Sequence, residues 1–441
     1  MRRKIVSLVV GAAMALSMVA CGTQGSEESV AQNTATAGEQ VADSGAGASI
    51  SILNSKTEIQ TQFEEMANEY EEKTGVHVEV YNADTDTTVA SQIATKYASH
   101  DPYTLSMVDP KDIYAVADEY AYDLTSEDWA KNTKLGITVG GKLVGFPFCV
   151  EARGILYNAD AIEKITGEKF DPTSVAKLDD FQKLLDKLVQ GGMEKPVGIL
   201  SEYWSLGAHW FPMVYEEQQD PDAFVKSLLD GSGNLMENEK FKSIMDSFDT
   251  LIKYNYAKGS ASNADREETS MMLAEGQIAF MFGGNWDWSV INQYDYTEHL
   301  GMMPVPQNTT DGSNFNIVGG ATKYFFVDSS SDTTDDQRKA ALDFLNWLVS
   351  DADGNAFLTE KCALVPAFEN IKADKLDPLS LSVKTYADAG NMIPTYNYLP
   401  DDHMTVVGQE IMQKYLDEAM DRGGLADAVT EYFKSATPIE H

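Results

Sequence analysis

The chain of 441 residues lacks the short patterns by which most protein metal sites are recognised. Its three cysteines, Cys21, Cys149 and Cys362, form no C-x-x-C pair, and its six histidines form no H-x-x-x-H. Zinc is usually held by cysteines and histidines at such short spacings. We therefore predict that the protein has no metal site.

Catalytic and cofactor-binding motifs are missing as well. The sequence contains no G-x-S-x-G elbow and no phosphate-binding glycine loop, and we find no internal repeat. Among 69 acidic residues a pair of carboxylates for glycoside cleavage can always be proposed, so such a pair carries little information. We predict no cofactor and no enzymatic activity.

Basic residues are scarce, since 33 Lys and Arg face 69 Asp and Glu and give a formal charge of −36. Nucleic acid is thereby excluded as a partner, because phosphate binding needs a basic surface. A hydrophobic content of 43% with 10% aromatics is typical of a globular protein, and the length suffices for two domains.

The N-terminus has the features of an export signal. A basic start, Arg2 to Lys4, precedes an apolar run, Ile5 to Val19, that is too short to span a bilayer comfortably. The run ends at Ala20-Cys21, which resembles the lipobox of bacterial lipoproteins. That resemblance implies a signal peptide over 1–20, cleavage before Cys21 and lipidation of its thiol. Residues 21–49 are small and polar and predict a flexible tether.

Strands and helices alternate after the tether and predict a parallel sheet. The predicted elements are a strand at 51–53, a helix at 57–73, and strands at 76–80 and 104–108. Because open α/β sheets bind ligands beyond the carboxyl ends of their strands, polar residues there are candidates for a site. They are Asn54, Lys56 and Asp109.

A second candidate follows an apolar run at 278–282, which predicts a buried strand. Gly283 and Gly284 allow a tight, left-handed turn, and Asn285 can cap the helix after it. Trp286 would thus be delivered to the end of a strand as a stacking surface or, in the plainer interpretation, as part of the core.

Three stretches resemble family 1 extracellular solute-binding proteins, the receptors of carbohydrate ABC transporters, of which the maltose-binding proteins are the best-known kind. The first contains Gly276, Ala279, Gly284 and Trp286. The second is G-x-P-x-x-V-E-x-x-G-x-x-Y-N from Gly145 to Asn158. The third places Glu202, Tyr203 and Trp204 after a short strand at 196–200.

This resemblance implies an α/β protein of two lobes, each a mainly parallel sheet flanked by helices, joined by three crossings. Lobe 1 would comprise 50–151 and 319–363, and lobe 2 would comprise 152–318 and 364–436. Glu151 would lie at the first crossing and accept hydrogen bonds from sugar hydroxyls, Gly320 at the return crossing, and the third crossing near Cys362.

The implied function is capture of a sugar or oligosaccharide outside the cell and its delivery to ABC transporter permease subunits. The protein would be a monomer, anchored through Cys21 to the outer face of the bacterial cytoplasmic membrane. The same fold could instead bind a peptide, polyamine or metal chelate, or the chain could be an exported polysaccharide-degrading enzyme. The Trp and Tyr residues near strand ends favour sugar.

Two further points stay open from the sequence. Tyr396 and Tyr398, in a proline-bounded loop, could stack on a ligand or belong to the core. Cys149 and Cys362 both fall beside predicted crossings and could form a disulfide, although their apolar neighbours favour two buried thiols.

Overall fold

A computed structural model describes residues 48–84, 87–373 and 375–437 of the chain. The described residues all belong to one compact unit. The predicted signal peptide, Cys21 and nearly all of the predicted tether lie outside the described residues. Within the described ranges, no helix has both the length and the apolarity needed to cross a membrane.

Ten strands form one sheet in the order β2-β1-β3-β9-β5-β7-β6, with β10 beside β9 and with β4 and β8 beside β5. The strands are β1 (Ser49–Asn54), β2 (His77–Asn82), β3 (Leu105–Val108), β4 (Ile137–Val139), β5 (Lys142–Asn158), β6 (Val197–Gly198), β7 (Phe280–Gly284), β8 (Leu300–Met303), β9 (Ile317–Val327) and β10 (Met392–Pro394).

Helices follow most strands and pack against the sheet. They are α1 (Gln60–Thr74), α2 (Val89–Ala98), α3 (Pro110–Tyr120), α4 (Ala159–Thr166), α5 (Leu178–Gln190), α6 (Met213–Glu216), α7 (Pro221–Leu229), α8 (Glu239–Tyr254), α9 (Arg266–Ala274), α10 (Trp288–Ile291), α11 (Asp335–Ser350), α12 (Ala352–Ala356), α13 (Pro378–Asp388), α14 (His403–Thr405), α15 (Gln413–Leu416) and α16 (Arg422–Ser435). Three segments are wound as π-helices: Ser205–Trp210, Phe357–Lys361 and Val406–Met412.

The predicted strand-helix-strand unit at the start is confirmed, because β1 pairs in parallel with both β2 and β3. The sheet is more mixed than the expected mainly parallel one. The two longest strands, β5 and β9, pair antiparallel with each other, and β7 and β8 pair antiparallel with β5. Two antiparallel strands need no helical crossover to connect them, unlike two parallel strands. One long strand can therefore pair with one group of strands along its first part and with a second group along its last part.

Strand β5 makes this passage. Its first part pairs with β9 from Phe146 to Arg153, and its last part pairs with β7 from Arg153 to Tyr157. The change of neighbours therefore falls at Arg153, two residues after Glu151. Near the predicted third crossing, Val365 makes an isolated bridge to Val150 of β5. The residue-by-residue division into lobes stays a prediction.

Large apolar side chains at helical spacing build the cores, as the sequence predicts for α1, α5 and α8. Phe63 of α1 and Phe344 of α11 are fully buried in one cluster, whereas Phe181 of α5 and Phe248 of α8 are fully buried in another. These helices hold the strand ends rigidly, so the polar residues beyond the strands have fixed positions.

Candidate functional site

A cavity of about 210 Å³ opens where the end of β3 and the middle of β5 and β9 meet the segments around residues 207–216 and 395–404. Its wall includes Asp109, Arg153, His209, Glu216, Tyr396 and His403. Two of these, Asp109 and Tyr396, belong to the residues predicted from the sequence. The mixture of charged groups and rings in a concave wall is typical of a small-molecule site.

Trp286 follows β7, as predicted, but the glycines before it act differently from the expectation. Gly284 is extended, with φ −143°, and belongs to the strand rather than to a left-handed turn. A Cβ atom on Gly284 would lie 2.3 Å from the Trp286 ring. Glycine is needed here because the half-buried indole folds back over the strand end, and not because the turn is left-handed.

The turn that carries Trp286 is held by a salt bridge. Arg266 donates from Nη2 to the Trp286 carbonyl at 2.8 Å and from Nε to Asp287 at 2.6 Å. The second oxygen of Asp287 accepts from the Gly284 amide at 3.0 Å. Asn285 does not cap a helix as expected; its side-chain oxygen accepts from the Ala152 amide of β5 at 3.0 Å. The Arg266–Asp287 salt bridge and the hydrogen bond from Ala152 to Asn285 together hold the turn, and so they fix the direction of the indole.

Trp286, His209 and Trp204 form what we call the aromatic cluster. The ring centroids of His209 and Trp286 are 4.5 Å apart, and those of His209 and Trp204 are 5.4 Å apart. All three side chains are half-buried. His209 lines the cavity and lies between the two predicted tryptophans. Trp204 and Trp286 therefore pack against a cavity-lining side chain without lining the cavity themselves.

Close packing of two π-helices positions His209. The segment Ser205–Trp210 crosses the segment Val406–Met412, and a Cβ atom on Gly207 would lie 2.2 Å from the Met404 carbonyl oxygen. A glycine is therefore required at residue 207 for the two backbones to approach. Short π-helical segments are common at functional sites.

The charged side chains of the cavity wall are paired with one another. Lys323 donates to Asp109 at 2.6 Å, and Arg153 donates to Glu216, both side chains of the latter pair being buried. Lys111 contacts Asp401 at 3.2 Å. A ligand that enters this cavity therefore meets charges that are already neutralised by their partners.

Glu151 and Lys56 lie in a second group, which we call the crossing network. Lys56 donates to Glu151 at 2.5 Å and to Glu58 at 2.7 Å, while the Thr322 hydroxyl donates to the other oxygen of Glu151. Lys56 is 3% exposed and Glu151 is 5% exposed. Asn54, also buried, accepts from the Lys56 amide at 2.9 Å.

These contacts set the protonation of the crossing network. Burial alone would lower the pKa of Lys56, but the carboxylates of Glu151 and Glu58 outweigh burial and raise it well above its ordinary value. Burial would likewise raise the pKa of Glu58, but Lys56 lowers it to about 2. At neutral pH Lys56 is therefore a cation and Glu58 a carboxylate.

The remaining predicted residues occupy different surroundings. Glu202 accepts from the Arg266 amide at 2.8 Å, and Tyr203 is 36% exposed. Gly320 of β9 pairs in register with Glu151.

The two predicted tyrosines of the loop before α14 lie next to each other. Tyr398 donates to the Tyr114 hydroxyl at 3.1 Å. The backbone amide of Tyr396 donates to Glu216.

Both cysteines in the described part of the chain are free thiols, so the structure contains no bond between Cys149 and Cys362. Burial raises the pKa of Cys149 to about 12, so its thiol is protonated and unreactive at neutral pH.

Sequence reasoning missed His209, Arg153 and Glu216. Arg153 could have been found, because it is a charged residue inside an apolar strand and so needs a buried partner, which is the argument applied to Glu151. His209 could not, since it follows Trp204 by five residues and meets it only because the backbone there is a π-helix rather than an α-helix.

Comparison with known proteins places this geometry in context. Residues 65–388 match the family model described as bacterial extracellular solute-binding protein. A search against curated protein sequences finds no significant match.

Solved structures of similar fold carry bound or named sugars. The solute-binding protein RafE in complex with raffinose is 19% identical to this chain, with a TM-score of 0.69. That match covers 88% of this chain and 98% of RafE. A chitin oligosaccharide binding protein is 16% identical, with a TM-score of 0.70 and the same coverage. A sugar transporter protein from Bacillus licheniformis in complex with stachyose is 16% identical, with a TM-score of 0.65. That match covers 88% of this chain and 99% of the other chain. At these identities the likeness shows the two-lobe α/β fold.

Proposed function

Because the chain belongs to the bacterial extracellular solute-binding proteins, we propose that it captures a sugar or oligosaccharide in the cavity beside the aromatic cluster and delivers it to the permease subunits of an ABC transporter. The protein acts outside the cytoplasm, as its family does. Binding would favour a closed arrangement of the lobes through contacts from both sides of the cavity.

The observation that carries the sugar assignment is a cavity lined by paired charges, with the aromatic cluster beside it. Trp204, His209 and Trp286 offer ring surfaces for the C–H faces of a sugar. Asp109 and Glu216 keep lone pairs that hydroxyls can approach, although each already has a cationic partner. This combination suits an uncharged ligand with many hydroxyls.

The alternative ligands fit less well. A polyamine or a charged peptide would need unpaired carboxylates or cations, whereas the charges of this wall pair with each other. In the described residues, no group of three or more metal-ligating side chains is present to hold a chelated metal. A polysaccharide-degrading enzyme has no support from the family or from the similar structures, which are binding proteins.

We assign stacking to Trp286 and Trp204, and polar contacts to Asp109 and Tyr396. Glu151, Lys56 and Asn54 are assigned to the support of the site, because their polar atoms already have partners in the crossing network. Glu202, Tyr203, Gly320 and Tyr398 remain candidates for a longer ligand that extends beyond the cavity.

A melting-curve screen tests the sugar assignment. The panel contains raffinose, stachyose, maltotriose and chitotriose, with spermidine and a tripeptide as controls. Ligand at about 100 times its dissociation constant adds roughly 2.7 kcal/mol of stability, so a binding sugar raises the melting temperature measurably. Stabilisation by spermidine or the peptide and by none of the sugars would refute the assignment.

Membrane attachment through Cys21 belongs to the same proposal and rests on the lipobox-like sequence. One acyl chain holds a protein only marginally, so several chains are needed for stable anchoring. Cys21→Ala should move the protein from the membrane fraction to the soluble fraction of the cells. Unchanged fractionation of the variant would show that another feature holds the protein.

A further inference from the structure

Two histidines line the cavity, and their surroundings differ. His403 is 2% exposed, and both of its ring nitrogens have partners. Nδ1 lies 3.1 Å from the Gly207 carbonyl, which can only accept, so Nδ1 carries the hydrogen and Nε2 accepts from the Tyr215 hydroxyl at 3.1 Å. His403 therefore has a structural role, because it links α14 to the π-helical segment Ser205–Trp210 and to α6.

His209 makes ring contacts with Trp204 and Trp286 instead. Neither of its nitrogens has a hydrogen-bond partner among the residues that the structure describes. It is half-buried on the cavity wall, so its imidazole lies within reach of a ligand in the cavity. Polar groups this close to burial are normally satisfied, and an unpaired one needs an explanation.

Arg153 lies on the same wall, but it is not equivalent to His209. It is 5% exposed and donates from Nη2 to Glu216, while its Nε has no partner within the described part of the chain. That Nε is enclosed by protein, so a ligand in the cavity would not reach it. Of the two residues, His209 is therefore the one whose ring can hydrogen-bond to a ligand there.

Burial, together with the charges around it, keeps His209 neutral. Burial lowers its pKa well below the ordinary value, and the nearby cations Arg153, Lys323 and Arg266 lower it further. Each of these cations has its own carboxylate partner: Glu216, Asp109 and Asp287 respectively. A neutral imidazole offers one N–H donor and one lone pair, which match a hydroxyl group in either direction.

We propose that His209 is a specificity-determining residue, whose unpaired ring nitrogens hydrogen-bond to hydroxyls of an uncharged sugar unit lying beside Trp204 and Trp286. This inference rests on the proposed function and deepens it. It selects against ligands that present only apolar edges here, because such a ligand would cover the imidazole without giving it a hydrogen-bond partner.

The test compares two variants of the full chain by calorimetric titration with raffinose, stachyose, maltotriose and chitotriose. His209→Phe keeps an aromatic ring between the tryptophans and removes both nitrogens. It should weaken binding of the best sugar by about tenfold, the cost of leaving a partner unpaired. His209→Gln keeps one donor and one acceptor and should recover part of that loss. Both variants should melt close to the parent.

The outcomes separate the inference from the function beneath it. If the parent binds a sugar and His209→Phe binds it equally well, the role of His209 is refuted while sugar capture stands. If the parent binds none of the four sugars, the proposed function fails and this inference fails with it. A His209→Phe chain that does not fold is replaced by His209→Gln and His209→Leu, for which equal affinity again refutes the proposal.

A measurement without ligand tests the premise. Diethyl pyrocarbonate modifies neutral imidazoles that solvent can reach, and peptide mass spectrometry reports each site. The native full chain should be modified at His209 and protected at His403, and both should react after unfolding. Protection of His209 in the native chain would overturn the proposal, since its nitrogens would then not face the cavity.

Discussion

The aromatic cluster lies beyond the ends of β6 and β7, and the crossing network joins the end of β1 to the middle of β5. The two regions differ in how their polar atoms are satisfied. In the crossing network, Lys56 and Glu151 are almost fully buried and paired with each other. In the aromatic cluster, His209 and Trp286 are half-buried, and the imidazole has no partner in the described residues. Complete pairing indicates a structural role, whereas incomplete pairing beside a cavity indicates a ligand.

The comparison changes the interpretation of Glu151. From the sequence, a carboxylate in an apolar strand needs a hydrogen-bonding or charged partner, and the hydroxyls of a sugar could provide it. The structure provides another, because Lys56 and the Thr322 hydroxyl occupy both carboxylate oxygens. Whether Glu151 also contacts the ligand stays a prediction, and the variants below separate the two roles.

The largest expected effect is on stability and comes from the crossing network. Glu151→Gln leaves the buried Lys56 with only Glu58 as a charged partner, and we expect a loss of about 3 kcal/mol in the free energy of unfolding, measured in urea. The exposed Glu65→Gln is the control and should change stability by less than about 0.5 kcal/mol.

A double variant sharpens that result. Lys56→Met combined with Glu151→Leu removes both charges, and should be more stable than Glu151→Gln because no buried charge is left unpaired. If Glu151→Gln is as stable as the parent and binds sugar poorly, Glu151 belongs with the ligand and the contrast between the two regions is wrong.

The next effect is on binding and comes from the aromatic cluster. Trp286→Ala should weaken the affinity for the best sugar by on the order of 2 kcal/mol, about thirtyfold. Trp210→Ala is the matched control, since Trp210 is fully buried and its loss should cost about 3 to 5 kcal/mol of stability. A Trp286→Ala protein that melts as early as Trp210→Ala yet binds like the parent would assign Trp286 to the core.

Asp112 provides an intermediate case, a buried carboxyl near the cavity with incomplete pairing. Burial and the neighbouring Asp109 raise its pKa to about 6, although Lys111, 3.8 Å away, works to lower it. The folded state therefore binds the proton more tightly than the unfolded one. As pH rises from about 4 towards 6, ionisation of Asp112 lowers the free energy of unfolding, and this loss is complete at neutral pH.

Asp112→Asn should consequently stabilise the protein at pH 7, by on the order of 1 kcal/mol, and the gain should vanish below about pH 4. Urea unfolding at both pH values measures it. Asp118→Asn, on the exposed face of the same helix, should show no comparable gain. A destabilised Asp112→Asn would mean that the charged carboxylate is well paired after all.

The smallest effect concerns the thiols. Because Cys149 and Cys362 are free, a soluble chain without Cys21 should show two titratable thiols after unfolding without reductant. Its melting temperature should not change on adding dithiothreitol. One or no thiol, together with a lower melting temperature in reductant, would reveal a disulfide between them.

The sequence by itself determined the fold class and the elements that carry the site. Apolar residues spaced three and four apart predicted α5 and α8, and the parallel unit of β1 and β2 followed from alternation. These patterns are local, because burying one face of a helix or strand requires only a period in the sequence. The delivery of Trp286 to the end of β7 was predicted from another local feature, an uninterrupted apolar run that ends at two glycines.

Tertiary structure alone decided which candidates meet. Lys56 and Glu151 are 95 residues apart in sequence and form one ion pair, so the buried charge of Lys56 finds a partner that no local pattern announces. His209 reaches Trp204 and Trp286 because a π-helical segment packs through Gly207 against a chain segment 197 residues further on, at Met404. Pairing between distant side chains follows from the packing of whole elements, and no local period in the sequence encodes it.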